Sequence, residues 1–397
     1  MRLPFAVVTV MCVLASSAPA SAQDRLIVGG REVGAIGRFG QTLGPADPLL
    51  TRPLVAGGRY ALDIHAAVDL RTGARTPLPD GLAIADPVRP RVFVLRSEGI
   101  RTVALPDGSS RLVVAAGATQ PSLCSYAFSA DVLFCVWTRG DDRLDLVAVS
   151  PSTGATHLLL AAATSALWLP SLSATPDGGT VYYVDLAPGV FGPAYLKAFD
   201  VASGTSTPIP GYTGRILWDD AHERVITTSA QYAQVTTREG RFLGAAFIGG
   251  RCHDLAVSAH TGRLYLARVD YYYGPAWETV SVYDGSTYRA LAPEVVTPSS
   301  STCPELAVLT APGAPRALTA QVSPSLLSLH WTNVGAASGF VLEVGFAPGR
   351  TDVSVFVGSS PNVAFAAVPP GIYYVRVRGG NEFGGGRPSD EIRVVVP

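Results

Sequence analysis

The segment SATPDGGTVYYV (residues 173–184) is followed, after a link, by FDVASG (residues 199–204). The first piece reads as a strand, a polar turn and a second strand, because Pro176, Asp177 and Gly178 form a turn signal before an apolar run. The second piece ends a third strand and turns at Gly204, since glycine adopts positive φ without strain. Together they predict two hairpins, and hence a four-stranded antiparallel sheet.

Copies of both pieces recur along the first three hundred residues. The strand–turn–strand piece returns as SAHTGRLYL (258–266), and the second piece as VDLRTG (68–73), ALPDG (104–108), VSPSTG (149–154), TREG (237–240) and VYDG (282–285). The turn glycines of the second piece are 35 to 50 residues apart. Four-stranded sheets repeated at ~40–45 residues are typical of a β-propeller, whose blades pack around a channel.

The number of blades follows from the length of this region. Residues 23–310 number 288 and accommodate about seven such units, with six as the alternative. The motif CPELAV (303–308) repeats CHDLAV (252–257) and predicts the first strand of a seventh sheet. Its outer strands would come from LIVGGREV (26–33), so that the two ends of the region share one sheet.

These units resemble the YVTN/quinoprotein-like and TolB-like propeller repeats of secreted bacterial proteins. The resemblance rests on the Thr-Pro-Asp-Gly turn at 175–178 and on the Asp-x-x-(Thr/Ser)-Gly turns. It covers most of residues 60–295 and implies a fold rather than an activity, because propellers host many unrelated functions.

Residues 311–397 form a different unit after the Pro-rich linker at 310–315. Short alternating strands in a segment of this size predict an immunoglobulin-like β-sandwich. The stretch PGIYYVRVRGGNEFG (370–384) resembles the penultimate strand of a fibronectin type III domain. The resemblance implies that Trp331 is the core tryptophan and that Tyr373 forms the tyrosine corner. The family usually has a small side chain such as alanine at the position of Gly379, so this glycine is a departure from the family pattern.

Residues 1–22 are predicted to be a signal peptide, because a short apolar run leads to Ala20-Ser21-Ala22, an A-x-A cleavage pattern. The mature chain is therefore expected to be secreted, either to the periplasm or outside the cell, where cysteines tend to pair. Cys124 and Cys135 flank a predicted hairpin as direct cross-strand neighbours and predict a disulfide. Cys252 and Cys303 would then pair by elimination.

The composition is apolar for an exported protein, with 48% hydrophobic and 15% charged residues and a mean hydropathy of +0.27. No second apolar run approaches the ~20 residues needed to span a bilayer, so membrane insertion is not expected. The 31 acidic and 30 basic residues nearly cancel, which argues against nucleic-acid binding. Strands buried on both faces account for the apolar excess.

Motif searches predict no catalytic residues, no metal site and no cofactor, because the chain lacks a G-x-S-x-G elbow, an H-E-x-x-H pair, a D-x-D-x-D-G loop and a phosphate-binding lysine. The predicted binding residues are aromatic side chains in links between second and third strands, together with two polar residues that open an inner strand. They are Tyr271, Tyr272, Tyr273, Trp277, Phe191, Tyr195, His253 and Asp254.

These features predict a secreted, non-catalytic binding or scaffold protein. Exposed tyrosine and tryptophan rings suit a carbohydrate, a peptide or a protein partner. The alternative is an extracellular propeller enzyme, namely a hydrolase, a lyase or a quinone-dependent dehydrogenase, with its site at the channel mouth. His253, Asp254 and Glu305 would be the first residues to test for that activity.

Overall fold

The structure is a computed structural model in which most of the chain after residue 24 is described. The described residues are 25–28, 31–33, 55–57, 59–62, 65–117, 120–138, 143–165, 171–186, 194–229, 231–247, 252–270, 277–291, 295–298, 306–323, 326–335, 337–381 and 383–397. The predicted signal peptide lies outside them. All regular elements in these ranges are β-strands, so the chain is all-β as its sequence predicts.

The strands that precede the linker number 27 within the described ranges. They are β1 (Arg25–Val28), β2 (Arg31–Val33), β3 (Val55–Ala56), β4 (Tyr60–Leu62), β5 (Ala66–Asp69), β6 (Arg75–Pro77), β7 (Leu82–Ala85), β8 (Arg91–Arg96), β9 (Gly99–Ala104), β10 (Ser110–Ala115), β11 (Gln120–Ala127), β12 (Val132–Thr138), β13 (Arg143–Val149), β14 (Thr156–Ser165), β15 (Leu172–Ala174), β16 (Thr180–Leu186), β17 (Ala194–Asp200), β18 (Thr205–Pro208), β19 (Ile216–Asp219), β20 (Arg224–Thr228), β21 (Tyr232–Thr237), β22 (Phe242–Phe247), β23 (Cys252–Val257), β24 (Leu264–Asp270), β25 (Trp277–Tyr283), β26 (Val295–Pro298) and β27 (Leu306–Leu309).

Six sheets have the same form, which is four consecutive strands joined antiparallel in chain order. We number them sheet 1 (β3–β6), sheet 2 (β7–β10), sheet 3 (β11–β14), sheet 4 (β15–β18), sheet 5 (β19–β22) and sheet 6 (β23–β26). The turn between the third and fourth strands contains the repeated glycine. In sheet 4, for example, Gly204 has a φ of +68° and its N–H donates to the Asp200 carbonyl at 2.9 Å. Glycine is suited to this conformation because it has no Cβ.

Sheet 7 joins the two ends of this region. The inner strand β27 pairs with β1, which in turn pairs with β2. Leu26 lies opposite Val308, and Val28 lies opposite Leu306. The N-terminal strands therefore complete the sheet that begins near residue 306, as the sequence predicts.

Each sheet packs on the next through a buried apolar cluster, and the series returns to its start. Phe134 and Val136 of sheet 3, for example, pack with Val181 and Phe199 of sheet 4. Five further clusters join the other successive sheets. The last joins Leu309 of sheet 7 to Ala61 and Val68 of sheet 1. Face-to-face packing of such sheets is the arrangement of a β-propeller.

The first strands of successive sheets also contact one another and share side-chain hydrogen bonds. The Ala174 N–H in sheet 4 donates to Ser125 Oγ in sheet 3 at 2.9 Å. The Trp218 N–H in sheet 5 donates to Ser173 Oγ in sheet 4 at 3.1 Å. These serines satisfy main-chain donors that no neighbouring strand could reach, since strands from different blades do not form a common ladder.

The C-terminal residues form two further antiparallel sheets around one core. Their strands are β28 (Arg316–Ser323), β29 (Leu326–Thr332), β30 (Gly339–Gly345), β31 (Val353–Gly358), β32 (Asn362–Ala366), β33 (Gly371–Asn381), β34 (Gly384–Pro388) and β35 (Ile392–Val396). One sheet has the order β28-β29-β32, and the other has the order β31-β30-β33-β34 with β35 also paired to β33. We call this unit the sandwich.

Trp331 lies at the centre of the sandwich core. It is fully buried, and its ring meets Phe340 edge-on at 5.2 Å between centroids. The Tyr373 hydroxyl donates to the Pro369 carbonyl at 2.9 Å, four residues back along the chain. A Cβ added at Gly379 would lie 3.0 Å from the Ala337 Cβ and 3.4 Å from the Pro312 Cβ. The tighter of the two contacts is with Ala337 of the sandwich, and Pro312 of the linker lies at ordinary contact distance, so little room remains for a side chain at this position.

Candidate functional site

The first six sheets have two distinguishable ends, and in the described ranges the sandwich contacts one of them. The turns between the first and second strands are at residues 86–90, 128–131, 175–179, 220–223 and 258–263 in sheets 2 to 6. We call this end proximal, because residues of the sandwich contact it. The links between the second and third strands leave from the opposite, distal end.

Arg316 fastens the sandwich to the proximal turn of sheet 5. Its guanidinium donates to the Asp220 carbonyl and pairs with Glu223 at 2.7 Å. The Gly335 N–H donates to Asp220 Oδ2 at 3.3 Å. Burial raises the pKa of Asp220 to about 6, although Arg316 and the Gly335 N–H lower it. The sandwich thus covers the acidic side chain of Asp220 in sheet 5.

The link after sheet 7 adds a second attachment. Asn381 Nδ2 of the sandwich donates to the Thr310 carbonyl at 2.9 Å, and the Thr310 hydroxyl lies 3.0 Å from Ser258 Oγ in sheet 6. Phe383 packs beside the cluster that contains Leu309. The described part of the sandwich therefore contacts the proximal end and does not cover the distal end.

In chain order the predicted aromatic residues fall between the second and third strands of sheets 4 and 6 or at the start of the third strand. Tyr195, near the start of β17, is 49% exposed. Phe191 and residues Tyr271, Tyr272 and Tyr273 lie outside the described residues, as does the side chain of Trp277. The strand ends that flank residues 271–276 are Asp270 and Trp277, which pair with each other at the distal end of sheet 6.

Asp254 lies on the inner strand β23, as predicted, and it is buried. Its carboxylate forms an ion pair with the guanidinium of Arg215, which immediately precedes the inner strand of sheet 5. The pair therefore bridges two neighbouring sheets at the channel. The side chain of His253 lies outside the described residues. A buried carboxylate held by an arginine suits a structural bridge, because the paired form is strongly favoured.

Two aromatic residues that the sequence analysis missed lie at the distal end of sheet 5. The rings of Tyr212 and Tyr232 stack with centroids 6.4 Å apart and an interplanar angle of 22°. Tyr232 is 41% exposed, and the Tyr212 N–H donates to Thr227 Oγ1 at 3.0 Å. Tyr212 lies in the link before β19 and Tyr232 is the first residue of β21, so no local motif marks the pair.

The distal end of sheet 4 carries an ion pair beside Tyr195. Lys197 Nζ and Asp185 Oδ2 are 2.5 Å apart, and both side chains are about one-quarter exposed. The hydrogen bond to Asp185 raises the pKa of Lys197, so the lysine is charged at neutral pH. Exposed rings and polar groups thus occur together on two neighbouring sheets.

The proximal end holds a buried polar cluster between sheets 2 and 3. Arg91 Nε donates to Asp86 Oδ2 at 2.8 Å, and the guanidinium also contacts Asp131. The Tyr126 hydroxyl lies 2.6 Å from Asp131 Oδ1 and 3.2 Å from Asp86 Oδ2. Burial and the charge of Asp86 raise the pKa of Tyr126. Asp86 is fully buried, Arg91 and Asp131 are only partly exposed, and the groups fasten two sheets together, so we assign them a structural role.

The predicted disulfide between Cys124 and Cys135 is present. The two residues lie directly opposite each other on β11 and β12. Cys303 and the side chain of Cys252 lie outside the described residues, so the second predicted bridge stays a prediction. His222 is held by Asp219, whose Oδ2 lies 2.9 Å from Nδ1 and also accepts from Arg224.

Across the described ranges, no three His, Cys, Asp or Glu side chains converge as a metal site would require. The same ranges contain no helix of the length and apolarity needed to cross a membrane.

Neither a known family model nor a curated protein sequence matches this chain. Among solved structures it is similar to oligogalacturonate lyase from Vibrio parahaemolyticus, with 9% identity and a TM-score of 0.45 over 61% of this chain and 76% of that chain. It is also similar to TolB from Acinetobacter baumannii, with 13% identity and a TM-score of 0.40 over 68% and 73% of the two chains. The FN5 domain of Drosophila Lar matches 22% of this chain over 97% of its own length, with 19% identity and a TM-score of 0.19. Nothing about ligand or reaction follows from likenesses this distant.

Proposed function

We propose that the protein is a secreted, non-catalytic binding protein that presents a ligand surface at the distal end of a seven-bladed propeller. The observation that carries the proposal is the stacked pair of the half-buried Tyr212 and the exposed Tyr232, on the end opposite the sandwich. The expected ligand is a carbohydrate, a peptide or a protein surface. The sandwich serves as a spacer or a second recognition module.

The blade number is supported by the seven apolar clusters between successive sheets. A ring of seven sheets has seven interfaces, and the cluster of Leu309 with Ala61 and Val68 supplies the one that closes it. A six-bladed ring would leave sheet 7 without this partner. Domain limits at 23–310 and 311–397 agree with the change from four-stranded sheets to the sandwich.

The fibronectin type III assignment is supported by three features of the sandwich. Trp331 is the buried centre of its core, and the Tyr373 hydroxyl reaches back to the Pro369 carbonyl in the manner of a tyrosine corner. Ser389 Oγ accepts from the Val377 N–H at 3.0 Å. These three contacts are the support for proposing a fibronectin type III domain.

The binding interpretation is favoured over catalysis by the partners of the inner-strand polar groups. Asp254 is neutralised by Arg215, and Ser125 and Ser173 accept main-chain hydrogen bonds from the next sheet. Groups that are paired in this way hold the blades together.

Secretion is supported by the disulfide, because such bonds persist in oxidising compartments.

The test is a screen of glycan and peptide arrays with the mature chain, followed by variants of the distal tyrosines. Tyr212→Ala with Tyr232→Ala should weaken binding of the ligand found by at least about tenfold, since exposed aromatic residues dominate such surfaces. Phe242→Ala, on the proximal side of the same sheet and 60% exposed, is the matched control. Equal binding by all three proteins would contradict the proposal.

The enzyme alternative predicts a different result from the same ligands. If the ligand is converted to product, and Asp254→Asn abolishes conversion while the melting temperature is retained, the protein is an enzyme. Unchanged ligand recovered after incubation with the protein supports the binding function.

A further inference from the structure

A cavity of about 700 Å³ lies between the sandwich and the proximal turns of sheets 1 to 4. The sandwich is fastened on the other side of the ring, at Asp220 and Glu223 of sheet 5 and at Thr310 after sheet 7. A wedge-shaped cleft therefore opens over sheets 1 to 4. Its volume falls within the ~300–1,000 Å³ of small-molecule sites, which occur preferentially between domains.

Both walls of the cleft contribute polar side chains around an aromatic ring. The sheets supply Arg59, Arg89, Phe128 and Asp177, and the sandwich supplies His330 and Ser338. Phe128 is half-buried, so part of its ring remains accessible.

The charged groups of the wall are neutralised by partners within the protein. Arg59 forms two hydrogen bonds with the buried Asp69, at 3.0 and 2.5 Å. Arg89 lies 3.3 Å from Asp86 and 3.5 Å from Asp131. Asp177 has Arg238 at 3.8 Å as its cation, so each arginine and carboxylate named for the wall has an opposite charge of the protein within 4 Å. A charged ligand would therefore have to compete with these pairs. The electrostatics of the wall therefore favour a neutral ligand.

Hydrogen-bonding capacity nevertheless remains in the wall. The hydrogen bonds described for the Arg89 guanidinium use Nη1 only, and a guanidinium carries five N–H donors. Asp177 is more than half exposed, and its Oδ2 lies as far as 3.8 Å from Arg238. Partial desolvation raises the pKa of Asp177, but hydrogen bonds from Thr175 and the Gly179 N–H help to hold it below its usual value, so the carboxylate acts as an acceptor. Donors and acceptors thus face the same space.

The main chain of the wall argues against an extended peptide. The Leu105 N–H donates to Pro90 O at 2.8 Å, the Ser129 N–H to Pro176 O at 2.9 Å, and the Trp331 N–H to Pro361 O at 3.0 Å. Peptides that bind by strand addition need an unpaired edge of N–H and C=O groups. These turns and strand ends offer none at those positions.

We propose that the interdomain cleft is a second binding site, specific for a neutral oligosaccharide. A sugar presents hydroxyl groups that both donate and accept, and an apolar C–H face that packs on an aromatic ring such as Phe128. The wall of the cleft matches this combination, because its charged groups are paired, it has both hydrogen-bond donors and acceptors, and one aromatic ring is accessible. The site is separate from the distal tyrosines and touches both units of the protein.

The experiment blocks the cleft from each wall in the full mature chain. Ala130→Trp fills it from sheet 3 and Ser359→Trp fills it from the sandwich, and both positions are exposed. Ala155→Trp, at an exposed turn of sheet 3 that does not line the cleft, is the control. Binding is measured by calorimetry with cellotriose, maltotriose, mannotriose, chitotriose and xylotriose, with a hyaluronan tetrasaccharide and trialanine as acidic and peptide probes.

We expect at least one neutral trisaccharide to bind, and each blocking variant to weaken it at least tenfold while Ala155→Trp binds as the parent does. The paired variant of Tyr212 and Tyr232 should leave this binding unchanged. The proposal is overturned if none of the neutral trisaccharides binds, if the acidic or peptide probe binds more tightly, or if both blocking variants bind like the parent.

Discussion

The pH dependence of stability should report directly on the covered carboxyl group of Asp220. Its pKa is about 6 in the folded protein against an ordinary value of 3.8, and burial is the main cause. Because the folded protein holds this proton more tightly than the unfolded chain does, the contribution to stability is greatest at low pH. It is lost as the pH rises from about 4 to 6.

The size of the effect follows from the two pKa values. A difference of about two units corresponds to about 3 kcal/mol in the free energy of unfolding, at about 1.4 kcal/mol per unit. About 2 kcal/mol of this change falls between pH 4.5 and pH 7.5. Asp220→Asn should lack this part of the pH dependence, because the amide does not titrate and its oxygen can still accept from the Gly335 N–H.

The measurement is urea denaturation of the parent and Asp220→Asn at the two pH values, followed by tryptophan fluorescence. The stability of the parent relative to the variant should fall by about 2 kcal/mol from the lower to the higher pH. Asp352→Asn is a control of opposite sign, since the hydrogen bond from the Phe346 N–H lowers the pKa of Asp352. A parent-to-variant difference that changes by less than about 0.5 kcal/mol would refute the burial argument.

Three other substitutions test contacts that join strands or sheets. Replacing both Cys124 and Cys135 with alanine should lower the free energy of unfolding by about 3 kcal/mol, because the disulfide closes a short loop in the unfolded chain. Arg91→Met should cost about 3 kcal/mol, because it leaves Asp86 buried without its main cation. Tyr373→Phe should cost about 1 kcal/mol by removing one hydrogen bond. Urea denaturation measures all three.

Each of these substitutions has a control that distinguishes loss of the named contact from a general loss of stability. Arg71→Met removes an exposed arginine, and Tyr374→Phe removes the hydroxyl next to the tyrosine corner. Both should stay within about 0.5 kcal/mol of the parent. The disulfide effect should disappear when the parent is denatured under reducing conditions. A cost for Arg71→Met equal to that for Arg91→Met would mean that the buried pair is not the source.

Local signals in the sequence were sufficient where neighbours in space are neighbours in the chain. The turn at Gly204 and the pairing of Cys124 with Cys135 depend on one hairpin each, so residue types and spacing predicted them. Trp331 and Tyr373 were found because a family resemblance marks their positions.

The candidate site depends on contacts between sheets, which the repeat does not encode locally. Tyr212 and Tyr232 stack across two links, and Arg215 reaches Asp254 from the preceding sheet. Predicting these pairs requires the rotation angle between one sheet and the next. Sequence repeats as diverged as these do not determine that angle. The crowding at Gly379 comes from Ala337, which is distant along the chain and is therefore not marked by a local pattern either.

The pairing of β1 with β27 imposes an order on folding. Some 280 residues separate Arg25 from its partner Leu309, so bringing them together costs about 5 kcal/mol of chain entropy before any contact is gained. During synthesis β1 can pair with β2 at once, but β27 becomes available only when nearly the whole ring has emerged. Sheets 1 to 6 can stack locally before then, and the seam in sheet 7 closes last. The lifetime of the assembled ring therefore depends on how rarely this one seam opens.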